Sequence, residues 1–87
     1  MLQQDDTRLR AFNDARKLIS VSRAKEILRW KNWRHGGVLG GASQPSCPDI
    51  TDEEDQVVRR LWMTLDGSRC WMSALYMLYN DERPTGP

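Results

Sequence analysis

Thr51-Asp52-Glu53-Glu54-Asp55-Gln56-Val57-Val58-Arg59-Arg60-Leu61-Trp62-Met63-Thr64-Leu65 is the stretch that decides the fold. Its first four residues form a capping box. The Thr51 hydroxyl can accept from the Glu54 amide while the Glu54 carboxylate reaches back to the Thr51 amide. The acids of this first turn also suit the positive end of a helix dipole. Behind the box, Val57, Val58, Leu61, Trp62 and Leu65 recur at helical spacing and make a continuous inner stripe. Asp66-Gly67 terminates the helix.

The segments on either side read as helices too. Downstream, Ser68 is the expected cap of a helix whose Trp71, Ala74, Leu75 and Leu78 face inward. Met72, Tyr76 and Tyr79 form a second apolar stripe that so small a domain cannot easily bury, and such residues are common at interfaces. Upstream, Gly36 to Asp49 reads as a linker, with four Gly, two Ser and two Pro in fourteen residues. Gly36-Gly37 is expected to stop the helix before it, since glycine reaches the left-handed conformation without steric cost. Two helices precede that stop. In the first, Asp6 or Thr7 is the expected cap, Leu9, Phe12, Ala15 and Ile19 face in, and Arg10, Asp14 and Lys17 face out. Leu18-Ile19-Ser20-Val21 favours a break. Ser22 is expected to cap the second helix, with Ala24, Ile27, Leu28 and the stem of Lys31 inward. Arg23, Lys25, Glu26, Arg29 and Asn32 face outward.

The sum is an all-α chain of four short helices forming two helix-turn-helix pairs. The expected domain organisation is one domain: a basic pair over 7–35, a linker over 36–50, a second pair over 51–81 and a tail over 82–87. Eighty-seven residues leave room for one modest core, supplied by four Trp, four Met, two Tyr and one Phe. No apolar run approaches the roughly 20 residues of a spanning helix. The first residues have no basic n-region and no apolar h-region, so no secretory signal and no membrane partner are expected. Cys47 and Cys70 then read as thiols in a reducing cytoplasm. With His35 they are too few and too widely spaced for zinc, so no metal or cofactor is expected. No triad, carboxylate pair or phosphate-binding glycine motif marks an enzyme.

Charge points to a partner. Nine of the thirteen Lys and Arg residues lie between Arg8 and Arg34, with only Asp14 and Glu26 opposing them, while the chain from Gly36 onward carries four bases and eight acids. Such a basic window suits nucleic acid. In the first helix-turn-helix pair, Ser22, Arg23, Lys25, Glu26 and Arg29 would occupy the groove-reading start of the second helix. In the second pair Ser68, Arg69 and Trp71 take the same place with less charge. Trp30-Lys31-Asn32-Trp33-Arg34-His35 interleaves tryptophans with bases, a pattern that can stack or clamp.

Ala24-Lys25-Glu26-Ile27-Leu28-Arg29-Trp30-Lys31-Asn32-Trp33 resembles the Trp-bearing helix of the small Q-type transcription antiterminators of lambdoid phages, the phage 21 type. It is most similar to those that control bacterial lysis and cell-death genes. The likeness extends over Ser22 to Asn80: a Gly/Ser/Pro/Cys linker, an acid-capped helix and a Tyr-bearing helix follow in the same order. Lys31 stands where that family has glycine. The resemblance implies a prophage-type factor that binds a double-stranded DNA element near a promoter and loads onto a paused bacterial RNA polymerase, with or without sigma. It would narrow the RNA exit channel so that intrinsic terminators are read through, with nascent RNA as a further candidate partner. Trp33, Arg34, His35, Val38 and Leu39 are the expected exit-channel contact. The phage proteins continue into a sigma-like helix-turn-helix and this sequence stops at Pro87, so DNA binding is expected from the two helical pairs. The alternatives are a conventional helix-turn-helix activator or repressor, and a small phage-encoded inhibitor of RNA polymerase.

Overall fold

The computed structural model describes residues 4–34, 46–67 and 70–84, and among them all regular structure is helical. There are four helices: α1 Gln4–Leu18, α2 Val21–Arg34, α3 Asp52–Met63 and α4 Met72–Tyr79. The capping box is present at α3. Thr51 Oγ1 accepts from the Glu54 amide at 3.1 Å, and Glu54 Oε1 accepts from the Thr51 amide at 3.0 Å. The helix stops at Met63, two residues before Leu65, where the Thr64 and Leu65 amides turn back onto the Leu61 and Trp62 carbonyls in i→i−3 bonds. Gly67 follows at a φ of +69°, a left-handed conformation that glycine takes without a Cβ penalty.

The expected break between the first two helices is found, but two of the expected caps are not. α1 begins at Gln4, so Asp6 and Thr7 lie inside its first turns. The Ser at the head of α2 that closes onto an open amide is Ser20, whose Oγ accepts from the Arg23 amide at 3.1 Å. Ser22 is an exposed residue of the first turn. Backbone geometry explains the shift. The Ile19 amide still reaches the Ala15 carbonyl and the Ala24 amide already reaches that of Ser20. Of the two residues between the helices, Ile19 therefore closes the first and Ser20 is placed to cap the second.

The end of α4 is closed by a Schellman arrangement. The Glu82 amide donates to the Met77 carbonyl and the Asp81 amide to that of Leu78, with Asp81 at a φ of +53°. Asp is one of the few non-glycine residues that takes this conformation readily.

One core joins the four helices: Ala11, Phe12, Ala15 and Ile19; Ala24, Ile27 and Leu28; Val57, Val58 and Leu61; Ala74, Leu75 and Leu78. Trp62, Leu65, Trp71 and Met72 pack against it half-buried. The stripes expected to face inward do so in the main, but Leu9 of α1 and Lys31 of α2 are only half-buried and stand outside this core. The packing partners differ from the expected consecutive pairs. α1 lies on α3 and α2 lies on α4, with α4 also touching α3 and α1, whereas α1 and α2 make no such packing with each other. A two-residue connection leaves the pair no loop with which to fold back. The buried stripes of both then face the second half of the chain.

Candidate nucleic-acid interface

The fate of the basic window is decided by which of its cations the fold consumes. Arg8 donates through Nε and Nη2 to the Thr64 carbonyl at 3.2 and 2.7 Å, closing the end of α3. Arg16 lies across the ends of two helices. It donates to the Ile19 carbonyl at 3.0 Å and the Leu78 carbonyl at 2.6 Å, pairs with Asp81 at 2.9 Å, and stacks over the Phe12 ring. Cations at helix C-termini satisfy open carbonyls and oppose the dipole.

Arg23 is the third of these internal ties, and it departs furthest from the sequence expectation. Its guanidinium grips both Glu54 oxygens, from Nε at 2.8 Å and Nη2 at 3.0 Å. It also donates to Glu26 at 2.6 Å and to the Asp49 carbonyl at 2.8 Å. Glu54 is buried, and a buried carboxylate is tolerated only when paired and hydrogen-bonded. Arg23 supplies that pairing and ties the start of α2 to the capping box of α3. The ion pair holds Glu54 below the ordinary carboxylate pKa: the hydrogen bond from Arg23 is the main cause and overcomes the opposing effect of burial. The same contacts, Glu54 first and then Glu26, raise the Arg23 pKa. Arg23 is therefore an internal clamp, and Glu26 is turned toward it rather than outward to a ligand. These two depart from the expected groove-facing set for a physical reason: four of the five N–H donors of the guanidinium are already used inside the fold.

The rest of that set is exposed. Ser22, Lys25 and Arg29 lie on the outer face of α2, and neither Lys25 nor Arg29 makes an ion pair or hydrogen bond among the described residues. Lys25 and Arg29, with Leu28 and Asn32, form one wall of an open groove of about 300 Å³, whose other wall is Tyr76 and Tyr79 of α4. Asn32 Nδ2 donates to the Tyr76 hydroxyl at 3.2 Å across it. The sequence presents the basic face and the tyrosine stripe as separate surfaces. Packing of α2 on α4 makes them one. Asn32 is the member that residue reading placed outside the site. Its signal is the series 25, 28, 29, 32, which keeps to one face of a helix.

The tryptophan region is built of stacked pairs. Arg34 lies over the Trp30 ring at 5.0 Å and Lys31 over the Trp71 ring at 5.1 Å. Both indole Nε1 atoms are buried without a partner among the described residues. Trp71, expected at the reading edge of the second pair, is thus half-buried under Lys31, and it stands just before α4. Ser68 and Arg69 lie outside the described residues. Of the expected exit-channel set, Trp33 is half-buried and Arg34 exposed, while His35, Val38 and Leu39 lie outside the described residues.

Neither Cys47 nor Cys70 is in a disulfide, and both are exposed. The Cys70 thiol lies 3.7 Å from Ser73 Oγ, a contact that lowers its pKa. Among the described residues no three His, Cys, Asp or Glu side chains gather as a metal site, and no helix is long and apolar enough to cross a membrane. No family model, curated protein or solved structure matches the chain.

Proposed function

We propose that this protein is a non-enzymatic transcription antitermination factor of the bacterial cytoplasm, which holds nucleic acid on the outer face of α2 and rides RNA polymerase past intrinsic terminators. The observation that carries the nucleic-acid part is the sorting of the cations. Arg8, Arg16 and Arg23 are spent on helix ends and on Glu54, whereas Lys25 and Arg29 stand exposed one helical turn apart and make no ion pair among the described residues. Bases left unpaired on one face are the electrostatic footprint of a polyanion contact. The polymerase part is supported by the resemblance of Ala24–Trp33 and the element order after it to the small Q-type antiterminators.

In this reading α2 is the contact helix without a consecutive helix-turn-helix pair, since α1 does not pack on it. α2 packs on α4 rather than on α1, and the proposed contact set is Ser22, Lys25 and Arg29, with Arg23 and Glu26 fixing the helix in place. Arg34 beside Trp30, together with Trp33, remains the proposed polymerase contact.

A purified transcription assay tests the whole reading: an intrinsic terminator is placed downstream of a responsive promoter and read-through is compared with initiation. Increased read-through at unchanged initiation is the expected result. A change in initiation alone would make the protein an ordinary activator or repressor, and inhibition of both without DNA binding would make it a polymerase inhibitor. Lys25→Ala with Arg29→Ala is expected to lower duplex DNA retention and to flatten the logarithmic salt dependence by about 1.8, roughly 0.9 for each lost phosphate contact.

A further inference from the structure

The groove between α2 and α4 joins two kinds of recognition group that duplex DNA cannot use together. One wall offers Lys25 and Arg29, about 6 Å apart along the helix axis. The other offers the rings of Tyr76 and Tyr79, 42% and 36% exposed. No acid lines the groove. We propose that this groove binds unpaired RNA, with Lys25 and Arg29 on its phosphates and Tyr76 and Tyr79 stacking on its bases. The inference rests on the reading of the α2 outer face as the nucleic-acid contact and specifies the strand that face accepts.

Three features favour this occupant. Bases inside a duplex present only their edges, and a helix reads those by projecting into a major groove about 12 Å wide. Here the two cations share a concave trough with α4, so an aromatic wall stands beside them where a reading helix needs clearance. Unpaired strands expose base faces, and stacking on Tyr with backbone contacts to nearby cations is how such strands are held without a fixed sequence. The polar groups then select RNA. The Tyr76 hydroxyl accepts from Asn32 and keeps its own proton to donate. An amide and a phenol beside the strand suit the ribose 2′-hydroxyl, which both donates and accepts and which DNA lacks.

The test titrates the full chain into fluorescently labelled strands of about 10 nucleotides. These are unstructured RNA, single-stranded DNA of the same sequence, and the corresponding DNA duplex, read by anisotropy over a range of salt. RNA is expected to bind most tightly. Tyr76→Ala and Tyr79→Ala should each weaken RNA binding by roughly 5- to 150-fold, with Tyr79→Phe close to wild type, Tyr76→Phe narrowing the preference for RNA over single-stranded DNA, and duplex affinity unmoved. Lys25→Ala with Arg29→Ala should reduce the salt slope for RNA by about 1.4. Leu variants at 76 and 79 keep the apolar volume without the aromatic face and replace the Ala variants if those fail to fold. Duplex bound as tightly as RNA, with both Tyr variants at wild-type affinity, overturns the RNA groove and leaves the DNA contact of α2 standing. Equal affinity for single-stranded DNA overturns the choice of RNA. Retention of none of the three strands at low salt overturns the groove and the nucleic-acid reading together.

Discussion

Replacing Arg23 by Ala separates a structural arginine from a DNA-reading one, because the two roles predict different losses. The substitution removes four hydrogen bonds: two to Glu54, one to Glu26 and one to the Asp49 carbonyl. Bonds to charged groups contribute about 1.5–3 kcal/mol each, but these four share one guanidinium and cannot be summed. The better guide is the cost of orphaning one member of a buried pair, about 3–5 kcal/mol. That range is reduced here, since the Arg23 side chain is 24% exposed and Glu54 keeps the Thr51 amide as a donor. A loss of about 2–3 kcal/mol follows. An 87-residue domain has a total stability of roughly 4–13 kcal/mol, so the loss is a large share of it. At about 4–8 °C per kcal/mol, Tm should fall by roughly 8–24 °C. Thermal unfolding followed by circular dichroism measures this directly. A double-mutant cycle with Glu54→Gln should show the two substitutions costing less together than the sum of each alone. An Arg23→Ala protein that melts with the wild type while losing nucleic-acid affinity would refute the clamp and return Arg23 to the groove.

Three further outcomes are expected. The Glu54 pKa is depressed in the folded state, so the pair contributes fully above the ordinary value of 4.5 and is lost as pH falls through the lower folded value. Wild-type stability in urea should therefore drop below pH 4.5 more steeply than that of Arg23→Ala, and parallel curves would contradict the linkage. Ser20→Ala should cost about 1 kcal/mol as the loss of a helix cap, with Ser22→Ala near zero; the reverse order would restore Ser22 as the cap. Arg16→Ala should destabilise by about 1–2 kcal/mol, since it opens carbonyls at the ends of two helices, and an unchanged urea midpoint would dismiss that tie.

What the residues revealed in advance was whatever depends on neighbours within a turn or two. The Thr51–Glu54 box, the break after Leu18 and the inward stripes Ala24–Ile27–Leu28 and Ala74–Leu75–Leu78 all follow from local spacing. The cap of α2 was misplaced by two residues because Ser20 and Ser22 offer the same chemistry, and only the backbone path distinguishes them. The internal contacts of Arg23 were hidden for a different reason. Its partner lies 31 residues away, and nothing near it in the sequence distinguishes a cation aimed at solvent from one aimed at Glu54. The charge asymmetry was legible, but half of its meaning was hidden. Part of the basic half is complementary to the acidic half of the same chain, and only the remainder is offered outward. Likewise Tyr76 and Tyr79 were visible as an unburied stripe, while their place beside Lys25 and Arg29 needed the packing of α2 on α4.

The interleaved pairing of α1 with α3 and α2 with α4 also bears on how quickly the chain can reach its native state. Helical domains owe their speed to contacts between neighbours in sequence. Here the first helix finds its main partner only across the whole of the second. The arginine ties span 31, 56 and 62 residues. The entropy of closing such loops must be spent before these contacts give anything back. An all-helical protein of this size should accordingly refold more slowly than an up-and-down bundle of equal length. Its halves should show little structure apart, yet should recover helicity when mixed.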